Sequence, residues 1–114
     1  MILFGQRYEF YVCESVITEL FKHKEKIVRL SRLSEDEVLR VLYALLRRVH
    51  LYREDLITPE SLRVAYDLCS GVDEDDIPHV ALAIELDGLL WTGDKRLRQG
   101  LQAKGFDQFF PPGA

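Results

Sequence analysis

Nowhere in the 114 residues does an uninterrupted apolar run approach the ~20 needed to cross a bilayer. The opening Met1-Ile2-Leu3-Phe4 is too short for a secretory core and lacks a basic flank, so a cytoplasmic address is expected. Cysteine is scarce. Cys13 and Cys69 lie far apart with no metal-ligand spacing, and are expected to be reduced and partly buried rather than bridged. His23, His50 and His79 are equally scattered and suggest no zinc site. A basic excess is missing too: 15 lysines and arginines against 19 acids leave a net charge of −4. That balance gives no broad cationic surface for nucleic acid, although bound Mg²⁺ can reverse the sign locally. No internal repeat, low-complexity stretch or linker breaks the chain.

What is present suits one folded domain spanning residues 1–114. The apolar share is 47% and the charged share 30%, which argues against disorder. Tyr8–Val12, short and rich in aromatic and β-branched residues, predicts a strand. Ser15 begins a helix through about Leu30, with Val16, Leu20 and Ile27 inward. Ser34-Glu35-Asp36-Glu37 is a capping box, and the apolar stripe from Val38 to Val49 continues that helix with its face expected in the core. His50-Leu51-Tyr52 predicts a brief strand. Thr58-Pro59-Glu60 opens a helix that Gly71 ends. After Asp73-Glu74-Asp75-Asp76 a further helix runs from Ile77 to Asp87, Pro78 being tolerated in its first turn. Leu89–Thr92 predicts a strand buried on both faces, with Trp91 in the core. Gly93-Asp94 turns the chain into a last helix, and residues 106–110 allow a final strand. Strands alternating with helices predict an α/β fold with a largely parallel sheet.

In such sheets the functional crevice lies beyond the carboxyl ends of the strands. Glu19, Asp76 and Asp94 fall at such places, with Thr92 two residues before Asp94. Converging carboxylates repel unless a cation sits among them, and Mg²⁺ or Mn²⁺ prefers oxygen ligands. Such a site supports metal-assisted phosphodiester cleavage. Taken singly, each acid also has a structural explanation: Asp73 and Asp76 as helix caps, Asp94 as a turn or cap, Glu19 as a solvated helix residue. Spacing alone does not choose between these readings. Lys95, Arg96 and Arg98 adjoin Asp94 and are candidates for phosphate contacts, or form an ordinary solvated face.

The stretch Asp76-Ile-Pro-His-Val-Ala-Leu-Ala83, followed by Leu89-Leu-Trp-Thr-Gly-Asp94-Lys-Arg-Leu97, resembles the PIN domain family. Phe10 to Leu20 resembles that family's second strand and the helix bearing its glutamate. The resemblance runs from about Tyr8 to Phe110 and implies a PIN-like parallel sheet flanked by helices. It makes Glu19, Asp76 and Asp94 metal ligands and catalytic acids, Asp75 being an alternative in register to Asp76, and Thr92 the hydroxyl that supports them. The chain is most like the branch with a long helical hairpin after that glutamate, and the resemblance implies a Mg²⁺- or Mn²⁺-dependent ribonuclease acting on RNA, of a kind that includes toxins held by an antitoxin protein and RNA-processing nucleases. PIN domains open with a strand ending in aspartate, whereas Met1 to Gln6 contain no acid, so the first strand is expected to be missing. A shortened chain, a catalytically inactive PIN remnant serving as an interaction or regulatory domain, or a sheet completed by a second copy in a homodimer would each explain this.

Overall fold

The computed structural model describes residues 8–111. The expectation of a missing opening strand concerns residues 1–6 and lies outside them. Contacts divide the chain into two units, Met1–Arg53 and Glu54–Ala114. Helices and parallel strand pairing make the fold α/β, as the order of sequence elements predicts.

In the first unit, β1 (Tyr11–Cys13) pairs in parallel with β2 (His50–Tyr52), Tyr11 opposite His50 and Cys13 opposite Tyr52. The Tyr11 and His50 rings stack at 4.7 Å, a cross-strand contact that fixes the register. The single helix expected from Ser15 to Leu30 is two: α1 (Ser15–Lys22) and α2 (Lys24–Ser31), broken at His23, where ψ is 12°. Lys22-His23-Lys24-Glu25-Lys26 offers no apolar side chain to pin a continuous helix there. Helix α3 (Glu35–Leu46) starts on the capping box read from sequence: Ser34 accepts from the Glu37 amide and the Glu37 side chain reaches back to the Ser34 amide. Its stripe is less buried than expected. Val38 is in the core, but Val41, Tyr43 and Leu45 are exposed, and Ile17, Leu20, Leu39 and Leu42 help to line an apolar groove of about 600 Å³.

In the second unit, α4 (Pro59–Cys69) packs on α5 (Ile77–Glu85) and on α6 (Lys95–Ala103). Thr58 caps α4 by accepting from the Ser61 amide. The Glu85 carboxylate, from the end of α5, accepts from both the amide and the hydroxyl of Thr58. Gly71, just past the C-cap Ser70, takes a φ of 76° that a side chain would oppose. Val80, Ala81, Leu82 and Ala83 are all buried, so α5 is enclosed on several sides, and the alanines let α4 approach closely. Leu97 and Leu101, one turn apart, seat α6 in the same core.

The expected strand Leu89–Thr92 is reduced to one parallel bridge, Leu90 with Phe109. Leu90 is buried while Leu89 and Trp91 are exposed, so this segment has one inward face rather than two. Trp91 is 50% exposed and packs its ring at 5.4 Å from Phe110, which corrects the core placement read from sequence. Because Leu101 is fully buried, Leu101→Ala is expected to cost about 2–5 kcal/mol, measured as a fall in the urea midpoint at unchanged m-value.

Candidate metal centre

Two short devices bring acids together at one end of the second unit. After Gly71 the chain enters a 3₁₀ turn, Glu74–Asp76, with Asp73 as its N-cap accepting from the Asp75 amide at 3.0 Å. With three residues per turn, Asp73 and Asp76 share a face, while Glu74 and Asp75 are exposed. The second device is the N-terminus of α6. There Asp94 Oδ1 accepts from the Leu97 amide at 3.1 Å, and Thr92 Oγ1 accepts from the Asp94 amide at 3.1 Å, so hydroxyl and carboxylate fix the loop between them.

One carboxylate oxygen from each of Asp73, Asp76 and Asp94 lies within 4.8 Å of the other two. Asp73 and Asp94 each use one oxygen as a cap. Asp76, although it sits at the N-cap of α5, makes no side-chain capping bond. Its carboxyl is held above the usual carboxylate range, first by burial, then by the charge of Asp73 and a hydrogen bond with it, and also by Asp94; His79 acts in the opposite direction.

Oxygen-only donors of this kind suit Mg²⁺ or Mn²⁺. Their spacing compares with the ~4.2 Å between opposite ligands of Mg²⁺ at ~2.1 Å each. Cys69, at the end of α4, is a free and fully buried thiol, pushed up to about 11 by burial and by the neighbouring Asp76 and Asp73. It stays protonated at neutral pH and offers neither a thiolate ligand nor a nucleophile.

The PIN domain profile matches residues 1–109. This chain is a member of the PIN domain family. Comparison with curated proteins gives no match, and comparison with solved structures gives none. PIN domains have nuclease-type function and generally use divalent metal ions. No helix among the described residues is long and apolar enough to cross a membrane.

Of the residues singled out in sequence, Asp76, Asp94 and Thr92 meet in this corner of the PIN fold. Asp73 joins them, although sequence reading gave it only a capping role. The 73–76 spacing was the available signal, once the segment is taken as 3₁₀ rather than open loop. Asp75 turns away to solvent. Lys95 and Arg96 are exposed on the first turn of α6, and Arg98 lies over the Phe109 ring at 4.7 Å. Glu19 belongs to the first unit, on α1, where its carboxylate lies 3.4 Å from His23 Nε2.

The folded protein keeps the Asp76 proton to a higher pH than the unfolded chain does. Ionising Asp76 therefore lowers stability as pH rises from the ordinary carboxylate value through the raised one, and that loss disappears on acidification. Two outcomes are expected in thermal melts at neutral pH. Asp76→Asn raises Tm in chelator. Mn²⁺ at 100 times its Kd adds about 2.7 kcal/mol to the unmutated protein and nothing comparable to the variant. Calorimetric titrations at falling pH are expected to lose Mn²⁺ affinity at a higher pH than an ordinary aspartate would dictate.

Proposed function

We propose that this PIN domain is a Mg²⁺- or Mn²⁺-dependent ribonuclease that acts as the toxin of a toxin–antitoxin pair. The observation that carries the reading is the meeting of Asp73, Asp76 and Asp94, one of which, Asp76, has no capping role and is held above the usual carboxylate range by burial and by its acidic neighbours. Asp73 brings the acids here to three without any acid from residues 1–6.

Asp73, Asp76 and Asp94 would hold the divalent ion, which when bound supplies an activated water and counters charge on the phosphate. Thr92 holds the Asp94 backbone and keeps that carboxylate aimed. Lys95 and Arg96, on the first turn after Asp94, would attract the flanking RNA phosphates. Arg98 is assigned the same role, its guanidinium already oriented by Phe109. The family resemblance also makes Glu19 a metal ligand, a role that Glu19→Gln tests.

Asp94→Asn is the informative substitution, because asparagine caps a helix as well as aspartate does and so α6 is preserved. With single-stranded RNA and Mn²⁺, cleavage by this variant is expected to fall roughly 100-fold or more, beyond the 10- to 100-fold typical of residues that only support metal ligands. Equal cleavage by both proteins removes Asp94 from the mechanism. Lys95→Ala combined with Arg96→Ala is expected to raise KM with kcat little changed. Wild-type protein that binds Mn²⁺ but leaves RNA intact would instead identify the inactive interaction domain.

A further inference from the structure

We propose that Gly100 is a positioning residue for the metal centre, setting how closely the helix that carries Asp94 approaches the turn that carries Asp73. The inference rests on the metal-centre reading given above.

Glycine is a poor choice inside a helix, and here the backbone does not require it. Among the described residues the positive-φ glycines are Gly71 and Gly105, and Gly100 is not among them. Space does require it. A Cβ at position 100 would lie 2.6 and 2.8 Å from the two Val72 methyl carbons and 3.3 Å from Val72 Cβ. Valine is stiff at χ1 and has no flexible end to swing away. Its backbone is also tied down, since the amides of Val72 and Asp73 both donate to the Cys69 carbonyl. Adding a methyl group at 100 must therefore shift α6 or the 71–73 turn.

Those two segments are the limbs of the site. Asp94 caps α6 at one end, Gly100 lies further along the same helix, and Asp73 directly follows Val72. Beyond Gly100, the Lys104 ammonium donates to the Asp67 carbonyl at 3.0 Å and to the Ser70 carbonyl, fastening the far end of α6 to the last turn of α4. The helix is thus pinned to one neighbour by a steric contact and by a lysine clamp, with its catalytic end projecting from the pinned part.

The test compares wild type, Gly100→Ala, Val72→Ala and the double variant by crystallography and by Mn²⁺ calorimetry. In Gly100→Ala the Asp73–Asp94 oxygen separation is expected to exceed 4.8 Å, and Mn²⁺ affinity to fall about 10-fold, the lower figure for residues that support metal ligands. The double variant, with the methyl collision removed, is expected to regain both. Unchanged spacing and affinity in Gly100→Ala, or changes that Val72→Ala does not reverse, would overturn the proposal. Should Gly100→Ala fail to fold, Lys104→Met loosens the same helix from its other end. It is expected to weaken Mn²⁺ binding and Lys104→Arg to restore it; wild-type affinity in Lys104→Met would refute the pinning. Wild-type protein with no Mn²⁺ affinity would sink the metal-centre reading by itself, while the crystal spacings would still decide the role of Gly100.

Discussion

Like charges at short range govern the second unit. Asp73, Asp76 and Asp94 are brought within 4.8 Å by a 3₁₀ turn and a helix N-terminus, against their mutual repulsion and, for Asp76, against burial. A fold tolerates such a group when surrounding bonds over-determine it, and here they do. Asp73 is committed to the Asp75 amide and Asp94 to the Leu97 amide, while Thr92 fixes the loop before Asp94. The acids cannot spread apart without uncapping two elements. The repulsion shows instead in the Asp76 carboxyl, which burial and its acidic neighbours hold above the usual carboxylate range, and a divalent cation would relieve it.

That economy gives Asp73 and Asp94 two simultaneous jobs. One oxygen of each satisfies an orphan amide at the start of a helical turn, and the carboxylate still belongs to the cluster. The choice between cap and metal ligand, which looks exclusive on paper, is not exclusive in space. Asp76 differs by having only the second job. The same corner also separates hard from soft chemistry. The Cys69 thiol nearby is kept protonated by burial and by those acids, so no thiolate joins the oxygen donors of the cluster.

Much of the architecture was legible because it is local. The Ser34–Glu37 box, the Thr58-Pro59 opening and the Gly71 stop each depend on bonds within a few residues, and each is found where the sequence places it. What was misread depends on partners remote in sequence. A continuous apolar run does not say which face of Leu89–Thr92 is inward, so Trp91 was expected inside and lies half outside. The Val38–Val49 stripe has the period of a buried helix, yet much of it stays in water. Asp73 reads only as a cap in sequence because its meeting with Asp94 requires α6 to pack beside the end of α4, a tertiary fact. The break at His23 reflects a missing contact rather than a helix-breaking residue, and so leaves little trace in composition.

The 3₁₀ turn from Glu74 to Asp76 carries a consequence for how this segment can vary. Each residue there advances the chain by about 120°. Inserting or deleting a single position between Asp73 and Asp76 would swing the second carboxylate a third of a revolution away from the first. Glu74 and Asp75, whose side chains are exposed, are free to change in kind. Spacing is the conserved quantity this geometry demands, and drift in chemistry at the two middle positions should be tolerated where drift in length is not.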